Sequence, residues 1–270
     1  MLHIATVHYG SPRWIEIQLA HLREHIRVPF ETWTSLEGIP ERYGAGFDHV
    51  VDQAGQHAGK LNHLAFELAA QAGPEDLVMF LDGDAFPIAD PVPVIEDGLS
   101  RGRLVAVRRR ENLGDLQPHP LFCVCAVRTW RELGGDWSAG YRWQDSLGRR
   151  VSDVGGNLLR QLELTGTPWV ALERSNARDI DPIFFGVYGG VVYHHGAGFR
   201  DAELTRVHSA QMPAFAPLPR FAPAKMWVRR RNARLRKQWK QGTKRRLLAE
   251  SERMYERIRG GGREWLDELV

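Results

Sequence analysis

Two carboxylates separated by one glycine, Asp82-Gly83-Asp84, follow directly on the apolar run Leu77-Val78-Met79-Phe80-Leu81. Five apolar residues in a row read as a strand buried on both faces, as in a parallel or mixed sheet with helices on either side. Carboxylates at the end of such a strand are costly unless something compensates their charge. A divalent cation carrying phosphates does so, and open α/β sheets bind ligands at the carboxyl ends of their strands. Gly83 lacks a side chain, so a bulky ligand can come close to the backbone there. The competing reading is a polar Asp-Gly turn. The buried strand before the pair and Phe86-Pro87 after it favour the metal reading.

The elements that would position this pair follow from spacing. Residues 2–9 form a first strand carrying Thr6, His8 and Tyr9 near its end. Trp14 to His25 has helical apolar spacing, with Ser11 as N-cap and Pro12 in the first turn. Phe30 to Leu36 and Phe47 to Val51 read as strands, the latter ending at Asp52. Lys60 to Gln71 is a helix that Gly73-Pro74 ends. Strand, helix, strand, strand, helix, strand is the start of an open α/β sheet. Further on, Leu104 to Val107 and Leu121 to Val127 read as strands, and Asp153 to Leu164 as a helix. A glycine-rich apolar stretch, Phe184 to Tyr193, runs into His194-His195.

The chain has 270 residues, 43% hydrophobic and 26% charged, enough for one large α/β core with appendages. No run of eighteen apolar residues is present, and the N-terminal residues read as a strand rather than a signal peptide. Cys123 and Cys125 share one strand face and are too close for an unstrained bridge, so they read as core residues of a cytoplasmic protein. Charge is segregated. Residues 225–259 hold fourteen Lys/Arg and three Glu, a net +11, which leaves −8 on the rest of a chain whose total is +3. The expected organisation is a catalytic domain over 1–211, a Pro-rich linker over 212–224 and a basic helical extension over 225–270, with a break at Gly242.

The order of these features resembles the GT-A glycosyltransferases, most closely the family-2-like branch, over roughly residues 2–200. The motifs that carry it are His57-Ala58-Gly59-Lys60-Leu61-Asn62 before the Asp-Gly-Asp strand, Gly134-Gly135-Asp136-Trp137, Ser152-Asp153 with Arg160 and Gly166, and the late histidines. The resemblance implies a GT-A fold, with a mixed, mostly parallel central sheet flanked by helices. It implies a nucleotide-sugar donor, UDP-linked by preference, and a hydroxyl acceptor on a glycan or small molecule. It also implies Mn²⁺ or Mg²⁺ held by the Asp-x-Asp pair, with Asp84 as the direct ligand and Asp82 on the ribose or a metal-bound water. Donor contacts are expected from Thr6, His8, Tyr9, Asp52, Lys60, Asn62, Gly83 and Arg200, with Glu37 in reserve.

The chemistry such residues would perform is definite. Breaking a sugar–phosphate bond leaves charge on the β-phosphate, which a divalent Lewis acid holds. A histidine completes a site tolerant of Mn²⁺. Alternation from Tyr193 turns only one of the pair toward the cleft, and His195 is favoured over His194. Lys60 and Arg200 would clamp phosphate oxygens. The acceptor hydroxyl needs a general base. Asp153 is the candidate, with plain helix capping as the rival role, and Asp145 is the reserve. A carboxylate base opposite the leaving group gives inversion of configuration. Trp137, Tyr141 and Trp143 would stack on an acceptor sugar.

Three rivals remain open. One is a retaining transferase on the same fold, and another is a nucleotidyltransferase releasing pyrophosphate. The third is a non-catalytic protein that uses the basic tail on a polyanion or membrane surface. The tail suits an anionic membrane on the inner face, packing on the acidic body, or, less well, nucleic acid.

Overall fold

A computed structural model describes residues 1–196, 204–218 and 222–270, with no account of the side chains of 222–224. The chain divides into two compact units, Met1–Phe199 with Arg263–Val270, and Arg200–Gly262. This division differs from the expected boundary at 211/212. It also returns the last eight residues to the first unit, where Trp265 packs on Tyr193 and Phe86.

The first unit is built on a seven-stranded sheet. Its strands are β1 (Leu2–Tyr9), β2 (Phe30–Glu37), β3 (His49–Val50), β4 (Leu77–Asp82), β6 (Leu104–Val107), β7 (His119–Ala126) and β10 (Val170–Leu172), in the order β10-β6-β7-β4-β1-β2-β3. All pairings are parallel except those of β7 with β4 and β6. The mixed, mostly parallel sheet expected from the sequence is therefore present.

Period-two alternation divides the core between the two faces of the sheet. Ile4, Met79, Leu81 and Val124 join Ile15, Leu19 and Leu22 of helix α1 (Ile15–His25) on one face. Ala5, Val7, Phe80, Cys123 and Cys125 join Leu61, Leu64 and Leu68 of α2 (His57–Gln71) on the other. Burial holds the Cys125 thiol up at about 12 and Cys123 well above its ordinary value, so both are inert core groups.

Further helices α3 (Val92–Arg101), α4 (Val127–Glu132) and α5 (Gly156–Thr165) and a small hairpin, β8 (Trp143–Gln144) with β9 (Arg150–Val151), complete the outer layers. A second sheet of three antiparallel strands, β11 (Gly186–Tyr188), β12 (Val192–His194) and β5 (Ala85–Pro87), lies at the carboxyl end of β4. Its register sets His194 opposite Ala85.

Several local expectations are corrected. Helix α1 starts after Trp14, and Ser11 accepts only a long bond from Arg13 N–H at 3.4 Å, because Pro12–Ile15 first makes a separate turn. Asp153 precedes α5 by three residues, and Gly155 in a left-handed conformation occupies the cap. In the second unit, α6 (Arg206–Ala210) is followed by α7 (Ala222–Arg259), which runs through Gly242 without a break. Among the described residues no helix is long and apolar enough to cross a membrane.

Candidate functional site

Strand β4 delivers Asp82 at its last position, and the chain turns through Gly83 and Asp84 into β5. Pairing of β5 with β12 then brings a histidine to the carboxylates. That histidine is His194: its Nε2 lies 3.4 Å from Asp84 Oδ1 and 3.7 Å from Asp82 Oδ2. One ligand atom each from Asp82, Asp84 and His194 lie within 4.8 Å of one another. Atoms about 2.1 Å from one ion sit roughly 3.0–3.4 Å apart, so the His194–Asp84 contact already has the spacing of two ligands on one divalent cation, and the longer His194–Asp82 contact needs to shorten by a few tenths of an ångström. Two carboxylates with one imidazole is a donor set that suits Mn²⁺ or Zn²⁺ better than Mg²⁺.

The remaining oxygens of the pair are already held. Asp82 Oδ1 accepts from His57 Nε2 at 3.0 Å, and Asp84 Oδ2 accepts from the Gly196 amide at 3.1 Å. Each carboxylate thus keeps one oxygen fixed and turns the other toward the cluster. Burial opposes ionisation of both groups. At Asp82, His57, His119 and His194 outweigh it, and at Asp84 His194 does so against the neighbouring Asp82 charge. Both carboxyls lie below the usual carboxylate range. Gly196 has φ +85°, and a Cβ there would meet the Phe184 ring at 2.8 Å.

His195, the residue favoured from the sequence, sits elsewhere. Its Nδ1 is 3.0 Å from the Tyr193 hydroxyl, and its ring packs 4.5 Å from Trp14. Burial lowers its pKa to about 3. Alternation along β12 does turn only one of the two inward, but the parity is set by the register with β5, which the sequence does not display.

Thr6 and His8 are fully buried and do not line an open nucleobase site. Both address Gln18 of α1: Thr6 Oγ1 and His8 Nε2 lie 3.1 Å from its Oε1. The Gln18 amide nitrogen donates to the carbonyls of Asp82 at 2.8 Å and Ala85 at 2.7 Å. All four hydrogen-bonding positions of this side chain are used, two on Thr6 and His8 of β1 and two on the carbonyls that flank the Asp-Gly-Asp turn. Sequence reasoning missed Gln18; its one signal was a polar residue between the apolar positions Ile15, Leu19 and Leu22.

At the ends of β1 and β2, Lys60 pairs with Glu37 and lies 4.9 Å from the Tyr9 ring centre. Tyr9 is exposed while Lys60 is buried, so the cation is an internal one with its partner already present. Asp52 is exposed after β3, beside a surface hollow of about 520 Å³ near His49 and His63. Asn62 is spent on structure: it donates to Asp136 Oδ1 at 2.7 Å and accepts from Trp137 N–H at 2.8 Å. Arg200 lies outside the described residues.

The aromatic acceptor candidates are also placed differently. Trp137 is fully buried against Phe80 and Trp130, and Trp143 is buried as well. Tyr141 hydrogen-bonds Glu163 at 2.5 Å near the surface. Asp145 has a buried carboxylate that accepts from the Leu147 and Arg149 amides and pairs with the Arg149 guanidinium at 2.7–2.8 Å. It closes the β8–β9 turn and has no capacity left to act as a base. Asp153 is half-buried and accepts from Val154 N–H at 2.9 Å. Burial works against the charge of half-buried Arg109, and Tyr188, Glu111, Asp115 and, least, Asp153 favour it. Arg109 in turn acts on His119, whose ring centre lies 6.4 Å from that of His194. Arg109, which pairs with Glu111 at 3.7 Å, and His119 are thus charged or polar groups near the carboxylate pair that the sequence did not single out.

No family model matches the sequence, and no curated protein matches it. Solved structures do. TarS of S. aureus is 12% identical over 51% of this chain and 30% of its own, with a TM-score of 0.37. The apo glycosyltransferase GlyE of Streptococcus pneumoniae is 13% identical over 63% and 44%, with a TM-score of 0.41. The mannosyltransferase PcManGT of Pyrobaculum calidifontis, solved with GDP-Man and Mn²⁺, is 14% identical over 50% and 46%, with a TM-score of 0.37. The aligned part is less than half the length of each of these solved chains. A likeness at this level assigns neither an activity nor a substrate to this chain.

Proposed function

We propose that this protein is a metal-dependent glycosyltransferase that moves a sugar from a nucleoside-diphosphate donor to a hydroxyl acceptor. The observation that carries the reading is the convergence of Asp82, Asp84 and His194 at the carboxyl end of β4. A divalent ion bound there supplies Lewis acidity to a departing diphosphate. The protein's own part is to hold three ligands ready. Gln18 fixes the turn, His57 keeps Asp82 ionised, and the Gly196 amide orients Asp84. Exposed Tyr9, at the end of the first strand, offers a ring to the nucleobase, while buried Lys60 stays paired with Glu37 behind it.

Asp153 is the base in this reading. What favours it over Asp145 is that the Asp145 carboxylate is engaged by the Arg149 side chain and two amides, whereas the bond described for the Asp153 carboxylate is from its neighbour's amide. A carboxylate taking the acceptor proton opposite the leaving group gives inversion, and NMR of the product anomer separates this from retention. The deciding experiment is calorimetric titration of UDP and GDP, with and without Mn²⁺, into the wild-type protein and Asp84→Asn. Mn²⁺-dependent heat that Asp84→Asn abolishes supports the assignment, and metal-independent or absent heat for both nucleotides sinks it. Release of pyrophosphate rather than a nucleoside diphosphate would instead identify a nucleotidyltransferase.

A further inference from the structure

The second unit has a charged groove of its own. From Lys225 to Arg246 the chain carries eleven Lys/Arg and no Asp or Glu. All of these residues lie on the unbroken α7. The segment 212–218 lies against this helix. Asn232 Nδ2 donates to the Ala216 carbonyl at 2.8 Å, and the Arg236 guanidinium stands 5.1 Å from the Phe215 ring centre. Between segment and helix is a groove of about 1050 Å³. Phe215 and Leu218 give it an apolar side, and Arg229, Arg236, Lys237 and Lys240 give it a cationic one.

Four cations on neighbouring turns of a helix repel one another, and an anion between them removes that cost. The apolar side selects among anions. Met226 shares a helix face with Arg229 and Lys237 at i+3 and i+11, and both Met226 (57%) and Leu218 (45%) are exposed beside the charges. A phosphate ester with hydrocarbon attached satisfies both halves of the groove, whereas a duplex phosphate backbone satisfies only one.

We infer that the groove between residues 212–218 and α7 binds the headgroup phosphate of an anionic phospholipid and holds the second unit on a membrane surface. This holds whether or not the first unit transfers sugars.

Flotation of the full chain with vesicles tests it, using phosphatidylcholine alone and phosphatidylcholine mixed with phosphatidylglycerol. Binding is expected only to the mixed vesicles and is expected to weaken as salt rises. Replacing Arg229, Arg236, Lys237 and Lys240 together by Gln should lower partitioning by roughly fivefold per cation removed. The same number of changes on the far face, at Arg231, Arg234, Arg245 and Arg246, should lower it at least tenfold less. Circular dichroism shows that each variant keeps its helix. Equal binding to both vesicle types overturns the proposal. So does an equal loss from the two faces, which would mean diffuse charge without a groove. Tighter binding to a single-stranded oligonucleotide than to vesicles at the same salt also overturns it.

Discussion

His194 Nε2 stands 3.4 Å from Asp84 Oδ1, a contact made because the antiparallel pairing of β12 with β5 sets His194 opposite Ala85. One residue later, His195 points into a different environment, against Trp14 and Tyr193. The pair therefore offers an internal control. His194→Ala should weaken Mn²⁺ binding by about 100-fold, and His57→Ala, which loses only the partner of Asp82, by about tenfold. His195→Ala should leave Mn²⁺ affinity within a factor of about three while lowering stability, since it opens a cavity beside Trp14. Mn²⁺ titration followed by electron paramagnetic resonance measures all three. Loss of affinity in His195→Ala greater than in His194→Ala would show that the wrong imidazole has been assigned.

Gln18 gives the second prediction. It joins Thr6 and His8 on one side to the Asp82 and Ala85 carbonyls on the other. Gln18→Leu keeps the approximate size but strands buried donors and carbonyls, at a cost of about 3 kcal/mol. Urea unfolding reads that loss. A purely structural glutamine would stop there, but this one holds the turn that carries two ligands. Mn²⁺ affinity of the folded variant should fall about tenfold, and unchanged affinity would limit Gln18 to a packing role.

How much of this was legible in the sequence differs between elements. The run Leu77–Leu81 showed a doubly buried strand because every residue is apolar, and the structure bears that out with helices on both faces. The acidic turn was legible for the same reason: charge at the end of such a strand stands out. Residues whose partners are distant in the chain were not legible. Asn62 looked like a donor contact because of its place near Gly59-Lys60, yet it fastens Asp136 and Trp137, more than seventy residues away. Trp137 and Trp143 looked like a sugar platform because aromatic clusters serve both cores and surfaces, and only packing distinguishes the two. Arg109 and His119 gave no signal, since their buried neighbours come from separate loops.

The buried histidines predict an acid-sensitive fold. Burial lowers His8 to about 4 from an ordinary value of 6.5, against the opposing effects of Gln18 and the Asp84 charge. Below pH 6.5 the unfolded chain takes up a proton at this residue that the folded chain refuses. Stability from His8 is therefore constant above about pH 6.5 and falls as pH drops from there toward about 4. The slope is ~1.4 kcal/mol per pH unit for one histidine. Urea unfolding of wild type and His8→Asn across this range isolates it: the variant should show a shallower loss on acidification. Parallel curves for the two proteins would mean that His8 titrates normally in the fold.

The two carboxylates offered as bases from the sequence separate most sharply under substitution. Asp145 is enclosed by the Leu147 and Arg149 amides and the Arg149 side chain, so Asp145→Asn turns an acceptor toward donors with the wrong group. The β8–β9 turn should loosen, at a cost of about 2 kcal/mol, with any surviving activity keeping its pH profile. Asp153 is half-buried before α5 and is not the helix cap, so Asp153→Asn should change stability by no more than about 0.5 kcal/mol. If it takes the acceptor proton, kcat should fall by about 10²–10⁴ while KM for the donor stays nearly constant, and the acidic limb of the pH–rate curve should vanish. Transfer assays with a panel of nucleotide sugars supply these parameters. A variant that keeps wild-type kcat would leave the acceptor without a carboxylate base at this position and shift the assignment toward a retaining mechanism.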